Sequence, residues 1–223
     1  MHLFYEKQSV FKKHKGIVLM LHGVEKNSAN GNLYQITLEE CKKLLIFLKR
    51  KNTIRLENWK QENDFYALTI DDVPSNFYYN AFPLLRDGGI PFTIFVNVSL
   101  LDSEGYITSC QLKEMADCDL CTVGSHGITH SLYYKMSKTN AQKDLAESKR
   151  ILEGIIGKKV EMYAFPYGSY YACGFVNKVL VTQIYKYGFS TIAAYITEPQ
   201  SLPDYFIPRI NVDSNFIKKT NEI

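Results

Sequence analysis

The amino-acid sequence predicts an α/β fold, a complete or incomplete (β/α) barrel, on three observations. Short apolar runs of strand character alternate with capped, amphipathic segments of helical period, an order that parallel strands and helical crossovers use economically. Residues able to do chemistry follow the strands, and they lie in different strand–helix units. A barrel gathers such strand ends around one axis, whereas a doubly wound sheet, the alternative with the same order, gathers fewer. The third observation is size: 223 residues suffice for one well-filled core, so a single domain over residues 1–223 is expected, with its core at about 17–212.

The first strand is Ile17-Val18-Leu19-Met20-Leu21, an uninterrupted apolar run that delivers His22-Gly23 at its carboxyl end. The Asn-, Ser- and Gly-containing stretch from Glu25 to Tyr34 reads as a loop. Thr37 with Glu40 forms a capping box, and Leu38, Cys41, Leu44, Leu45 and Leu48 stripe the helix that runs to about Lys49. Residues 50–63 are polar and poorly periodic apart from Ile54, Leu56 and Trp59. A strand from Phe65 to Ile70 then carries Asp71 and Asp72, and Pro74 stops it. Ser75 is placed to cap a helix with Tyr78, Tyr79, Phe82 and Leu85 inward; Pro83 should kink or restart it, and Gly88-Gly89 should end it.

Phe92 to Val98 is the clearest strand, and Thr108 with Gln111 makes a second capping box. Cys121 to Gly124 is a short strand that sets down His126. A long helix from Ser137 to Ile156 stops at Gly157. The pattern repeats with a strand at Val160–Phe165, a helix from roughly Gly174 to Tyr187, and a strand from Phe189 to Ala193. The last apolar segment is Tyr205-Phe206-Ile207, before Pro208-Arg209-Ile210.

Composition narrows the function. Hydrophobic residues are 46% and charged residues 22%, an ordinary globular balance, and the 16 Tyr and 13 Phe suit a carbohydrate groove as readily as a core. A net charge of +3 with scattered lysines gives no argument for nucleic acid. Neither a dinucleotide Gly-x-Gly-x-x-Gly nor a phosphate-binding Gly-Lys-Ser/Thr loop is present. The five cysteines, Cys41, Cys110, Cys118, Cys121 and Cys173, form no compact framework and favour a reducing compartment; Cys118 and Cys121 read as a helix-end pair rather than a zinc knuckle. No segment has the makeup of a signal peptide and Ile17–Leu21 is too short to span a bilayer, so a cytoplasmic location is expected. The basic run Lys12 to Lys15 reads as a solvated surface, with peripheral membrane association through a phospholipid or a lipid-linked sugar as its alternative.

Two stretches carry chemistry. Asp71 and Asp72 are adjacent carboxylates at a strand end, an arrangement that costs several kcal/mol when buried unless a metal, a base or hydrogen bonds offset it. In a chain with five histidines, His126 and His130 stand four apart, so on a helical turn their imidazoles share a face. With Asp72 they make an Asp-His-His set suited to zinc or a similar divalent ion, leaving Asp71 for proton transfer.

Thr69-Ile70-Asp71-Asp72, then Ser125-His126-Gly127-Ile128-Thr129-His130, then Phe165-Pro166-Tyr167-Gly168 resemble in order and spacing the motifs of the polysaccharide deacetylase family, the NodB-like domains of carbohydrate esterase family four, over roughly residues 17–212. The resemblance implies a deformed (β/α) barrel that removes acetyl groups from sugars with a divalent metal, Zn2+ being the expected ion. It implies Asp71 as catalytic base, Asp72, His126 and His130 as metal ligands, and the backbone N–H of Tyr167 as oxyanion donor.

Three departures qualify the match. No histidine follows His130, where many members carry an acid histidine in a Leu-x-His motif. Leu21-His22-Gly23 is instead similar to the circularly permuted poly-N-acetylglucosamine deacetylases, which place that histidine in an N-terminal strand, so the acid role passes to His22. The arginine of the Arg-x-Pro-Tyr motif is Ala164 here, and Arg209 is the residue nominated to contact Asp71 from elsewhere; its alternative is pairing with a surface acid. The family's tryptophan-lined motif is not evident, and Tyr163, Tyr167, Phe189 or Ile192 are the candidates to line the acetyl pocket. The expected function is metal-dependent N-deacetylation of a surface-polysaccharide glycan or its lipid-linked precursor. The alternatives are an allantoinase-like amidohydrolase and a carbohydrate-binding relic, against which the intact Asp71 argues.

Overall fold

The structure, a computed structural model, describes residues 15–27 and 34–220. Of the basic run at 12–15 only Lys15, and of the expected loop at 25–34 only the ends, fall within them. In chain order the strands are β1 (Gly16–Leu21), β2 (Gly23–Glu25), β3 (Gln35–Thr37), β4 (Phe65–Asp71), β5 (Phe92–Val96), β6 (Cys121–Ser125), β7 (Met162–Ala164), β8 (Tyr187–Phe189) and β9 (Ile210–Asn211). The helices are α1 (Leu38–Lys49), α2 (Ser75–Asn80), α3 (Phe82–Gly88), α4 (Ser109–Asp117), α5 (Lys138–Ile156), α6 (Tyr170–Cys173), α7 (Phe175–Ile184) and α8 (Ser214–Thr220).

Seven strands form one sheet in the order β8-β7-β6-β5-β4-β1-β9, with every pairing parallel, while β2 and β3 pair apart from it. The sheet curls into a deformed (β/α) barrel, and residues 207–212 close it irregularly. On one side Ser190 N–H donates to Ile207 O at 2.8 Å, Ile207 N–H to Gly188 O at 2.9 Å and Arg209 N–H to Ile192 O at 3.0 Å. On the other side β9 pairs with β1, and Val212 N–H donates to Met20 O at 2.8 Å.

Strand periodicity decides what faces the axis, because successive side chains point to opposite faces. On β4, Phe65 and Ala67 enter the inner cluster with Val18 of β1, Phe95 of β5, Met162 and Ala164 of β7, and Phe189 of β8. The alternate residues, Leu19 and Leu21 on β1 and Leu68 and Ile70 on β4, pack outward with the helices. Trp59, from a 3₁₀ turn at Leu56–Gln61, is fully buried in the inner cluster, so the segment without clear period supplies part of the barrel's filling. Continuing the same alternation to the carboxyl ends points His22 and Asp71 toward the axis.

Both capping boxes form, Thr37 with Glu40 and Thr108 with Gln111. The expected helix around Pro83 is two helices: α2 ends at Ala81, Pro83 sits in the first turn of α3, where a missing N–H is tolerated, and Gly89 stops α3 at φ +68°. Ser75 is the first residue of α2 rather than its cap. The last expected strand, Phe189–Ala193, is shifted toward Tyr187–Phe189, because beyond Phe189 the backbone turns to meet Ile207 and Arg209. Cys118 ends α4, half-buried, and Cys121 opens β6, buried; both are free. Among the described residues no helix is long and apolar enough to cross a membrane.

Candidate active site

The carboxyl end of β4 delivers Asp71 into the barrel mouth, where it is 2% exposed, and the chain then breaks sharply. Asp72 and Val73 both take left-handed backbone conformations, φ +59° and +51°, unusual for non-glycine residues and strongest as strain at the β-branched valine. The twist turns Asp72 away from its neighbour and toward the histidines, so the two carboxylates acquire different surroundings.

His126 directly follows β6, and its Nδ1 is 2.7 Å from Ala164 O. A carbonyl only accepts, so Nδ1 carries the proton and Nε2 is left as a lone-pair donor. That Nε2 is 3.8 Å from Asp72 Oδ1, and His130 Nε2 is 3.9 Å from the same oxygen. The pair does not sit on a helical turn, as its spacing had suggested. Residues 126–132 form a loop in which Gly127 at φ +80° and His130 at φ +50° fold the second imidazole back over the first, with ring centroids 5.0 Å apart.

The set fits a divalent ion. One ligand atom each from Asp72, His126 and His130 lie within 4.8 Å of one another, and Asp72 Oδ1 is buried without a hydrogen-bond partner. Burial lowers the pKa of both imidazoles, His126 against the opposing pull of Asp71 and Asp72, which favours the neutral, ligating form. Burial raises the Asp72 carboxyl, with His126 opposing.

Asp71 is held differently. Arg209, itself wholly buried, makes a bidentate pair with it: Nη1 to Oδ1 and Nη2 to Oδ2, both 2.7 Å. Arg209 Nε donates to Ser190 O at 2.8 Å and Nη1 to Thr69 Oγ1 at 3.2 Å, so barrel closure fixes the guanidinium. Burial alone would raise the Asp71 carboxyl, but the Arg209 charge outweighs it and brings the pKa to about 2. Arg209, nominated from the sequence, thus contacts Asp71 rather than a surface acid.

His22 and Tyr167 complete the mouth. With Met20, Tyr34, Phe165, Thr191, Asn211 and Asp213 they line, together with Asp71, Asp72, His126 and His130, a cleft of about 520 Å³. His22 Nδ1 is buried without a hydrogen-bond partner, its ring lies 5.0 Å from that of Tyr34, and burial lowers its pKa against the pull of Asp71. Tyr167 takes φ +60° and its N–H meets no acceptor among the described residues, while Thr191 Oγ1 donates to its carbonyl at 2.9 Å. Of the other acetyl-pocket candidates, Tyr163 is buried on the helix side, Phe189 fills the barrel and Ile192 is outside the cleft lining, where Phe165 and Thr191 stand instead. Sequence reasoning missed Asn211 and Asp213; their only signal was a position just beyond an apolar segment too short to read as a strand.

The fold and site define a (β/α) barrel with a candidate divalent-metal centre beside an arginine-held carboxylate. The sequence profile described as polysaccharide deacetylase matches residues 59–190, more than half of the chain, and the protein belongs to that family. It is 29% identical over 167 residues to the poly-beta-1,6-N-acetyl-D-glucosamine N-deacetylase of Staphylococcus aureus, covering 66% of this chain and 54% of that protein. The chain spans little more than half the length of the curated relatives it matches. Among solved structures it shares its fold with the Streptococcus pyogenes deacetylase PplD in complex with acetate (TM-score 0.81, 21% identity, 92% of this chain and 97% of that one). IcaB from Ammonifex degensii gives a TM-score of 0.78 at 22% identity, over 94% of this chain and 96% of that one.

Proposed function

We propose that the protein is a metal-dependent N-deacetylase acting on an N-acetylated sugar polymer, with poly-β-1,6-N-acetylglucosamine the leading substrate class. The observation that carries the reading is the convergence of Asp72, His126 and His130 beside an Asp71 that Arg209 keeps ionised. The name of the staphylococcal relative supports the choice of sugar.

One carboxylate and two neutral imidazoles suit Zn2+ with coordination positions left open; such an ion supplies Lewis acidity toward the acetyl carbonyl and acidifies water. Asp71 is the proposed general base: it is ionised at neutral pH, and Arg209 fixes its direction while leaving lone pairs for the proton of the attacking water. The Tyr167 N–H, pointed by its left-handed backbone and without another acceptor, is the proposed donor to the developing oxyanion. His22 is the proposed acid for the leaving amine. It lines the cleft beside Asp71, whose charge favours its protonated form against the burial that lowers its pKa.

The test is acetate release from N-acetylglucosamine oligomers by Asp71→Asn and His22→Ala at measured metal content. Loss in both with metal retained supports the assignments; full activity in His22→Ala removes it as the acid.

A further inference from the structure

From the cleft wall at Phe165 a chain of aromatic rings runs outward through Phe206 to Tyr170. Tyr167, 54% exposed, lies 4.7 Å from the His130 ring, and beyond it α6 presents Tyr170 and Tyr171 at 63% and 72% exposure. Each is backed by another ring, Tyr170 by Phe206 at 4.5 Å and Tyr171 by Tyr134 at 4.4 Å. Phe206 in turn packs on Phe165, which lines the cleft. Backed rings present flat apolar faces with hydroxyl edges, matching the C–H face and rim hydroxyls of a pyranose, and they are contiguous with the candidate active site. Lys178 Nζ is 5.0 Å from the Tyr170 centroid and Lys135 Nζ 5.6 Å from that of Tyr134, so a sugar bearing an ammonium is repelled there and one bearing a neutral acetamide is not.

We propose that Tyr134, Tyr167, Tyr170 and Tyr171 bind the still-acetylated units that flank the reacting sugar in a polymer. This rests on the reading of the protein as an acetyl-sugar hydrolase. The test compares a β-1,6-linked N-acetylglucosamine pentamer, its monomer and the de-N-acetylated pentamer, as affinities to the chelated protein and as KM and kcat with zinc. Tyr170→Ala/Tyr171→Ala should lower the pentamer-to-monomer affinity ratio about tenfold, and the de-N-acetylated pentamer should bind wild type more weakly than the acetylated one. An unchanged ratio, or equal affinity for the two pentamers, overturns the platform. Acetate release with an unchanged ratio removes the platform alone; tyrosine-dependent pentamer binding without release removes the proposed activity alone and leaves the platform standing.

A separate observation concerns the back of the histidine loop. On the buried face of α5, Asp144 and Ser148 stand one turn apart among leucines. The Asp144 carboxylate accepts from Ile128 N–H at 3.3 Å and Tyr133 OH at 2.8 Å, and the Tyr133 hydroxyl also meets that of Tyr163. Ser148 Oγ bonds Ser125 Oγ at 3.0 Å, and Ser125 Oγ accepts from Gly127 N–H at 3.2 Å. A Cβ at Gly127 would lie 2.9 Å from Asp144 Oδ2, so the loop lies tight against this network. Buried polar groups persist when fully partnered, and these partners belong to the segment that carries both metal-site histidines.

We infer that Asp144 is a positioning residue that sets the geometry of His126 and His130, an inference resting on the metal site proposed above. It is tested by zinc affinity through chelator competition and by the visible spectrum of the cobalt-substituted protein. Asp144→Leu should weaken metal binding about 10- to 100-fold and change the cobalt spectrum, while Asp144→Asn, which still accepts from Ile128, should restore most of both. If Asp144→Leu does not fold, Ser125→Ala takes its place with a smaller loss expected. Wild-type affinity and spectrum in the folded variant overturn the inference; no metal bound by wild type overturns the metal site itself.

Discussion

Replacing Arg209 by Met tests the barrel's closure and its chemistry together. The guanidinium is wholly buried and makes four hydrogen bonds, two to Asp71 and one each to Ser190 O and Thr69 Oγ1. Methionine fills much of the volume but leaves Asp71 ionised in a low-dielectric site without a partner, a loss of about 3–5 kcal/mol. The sign of the pH dependence follows from the pKa. The Asp71 carboxyl lies at about 2 in the folded protein against an ordinary 3.8, so the pair contributes its stability above pH 3.8 and loses it as pH falls toward 2. The difference corresponds to roughly 2 kcal/mol at neutral pH in the metal-free protein, and the remainder of the loss comes from the vacated bonds to Ser190 and Thr69. Urea unfolding of chelated wild type and Arg209→Met at pH 7 and at about pH 2.5 measures this: the gap should be widest at pH 7 and narrow only below pH 3.8. Asp71→Asn combined with Arg209→Met should cost less than the two single changes added together, because each single change strands the other group. A gap under about 1 kcal/mol at pH 7, or strict additivity, would refute the argument.

The other predictions concern the mouth of the barrel. Gly168 has φ +48°, and a Cβ there would stand 2.5 Å from Thr191 N; Gly168→Ala should cost about 1–3 kcal/mol and reduce kcat by displacing the Tyr167 N–H, and wild-type melting and turnover would contradict this. His126→Ala should abolish tight zinc binding in a calorimetric titration, whereas His22→Ala should leave the bound stoichiometry unchanged; equal behaviour of the two would remove the ligand assignment.

Much of the site was legible because parallel strands set their last residues at one end of the barrel. The runs at Ile17–Leu21, Phe65–Ile70 and Phe92–Val96 are apolar apart from Thr69 and Thr93, so their ends, and hence His22 and Asp71, could be placed. The histidine loop was less so. Spacing of four suits a helix, but a left-handed Gly127 and His130 satisfy the same convergence without one, and nothing in the pattern reports φ at a histidine. Arg209 could be nominated by elimination, yet its contact depends on closure by Ile207–Val212, whose two-residue strand β9 carries no periodicity to read. Asp144 was hidden for a related reason: on α5 it occupies a buried position in a helix otherwise striped by Ala141, Leu145 and Leu152, and only the loop packed against it shows why a carboxylate belongs there.

The most direct test of the account is acetate release from a β-1,6-linked N-acetylglucosamine pentamer by wild-type protein carrying one zinc ion per chain, repeated after chelation and after zinc is restored. Release should disappear with the ion and return with it. Release that survives chelation, or none from the pentamer with the ion bound, would contradict this.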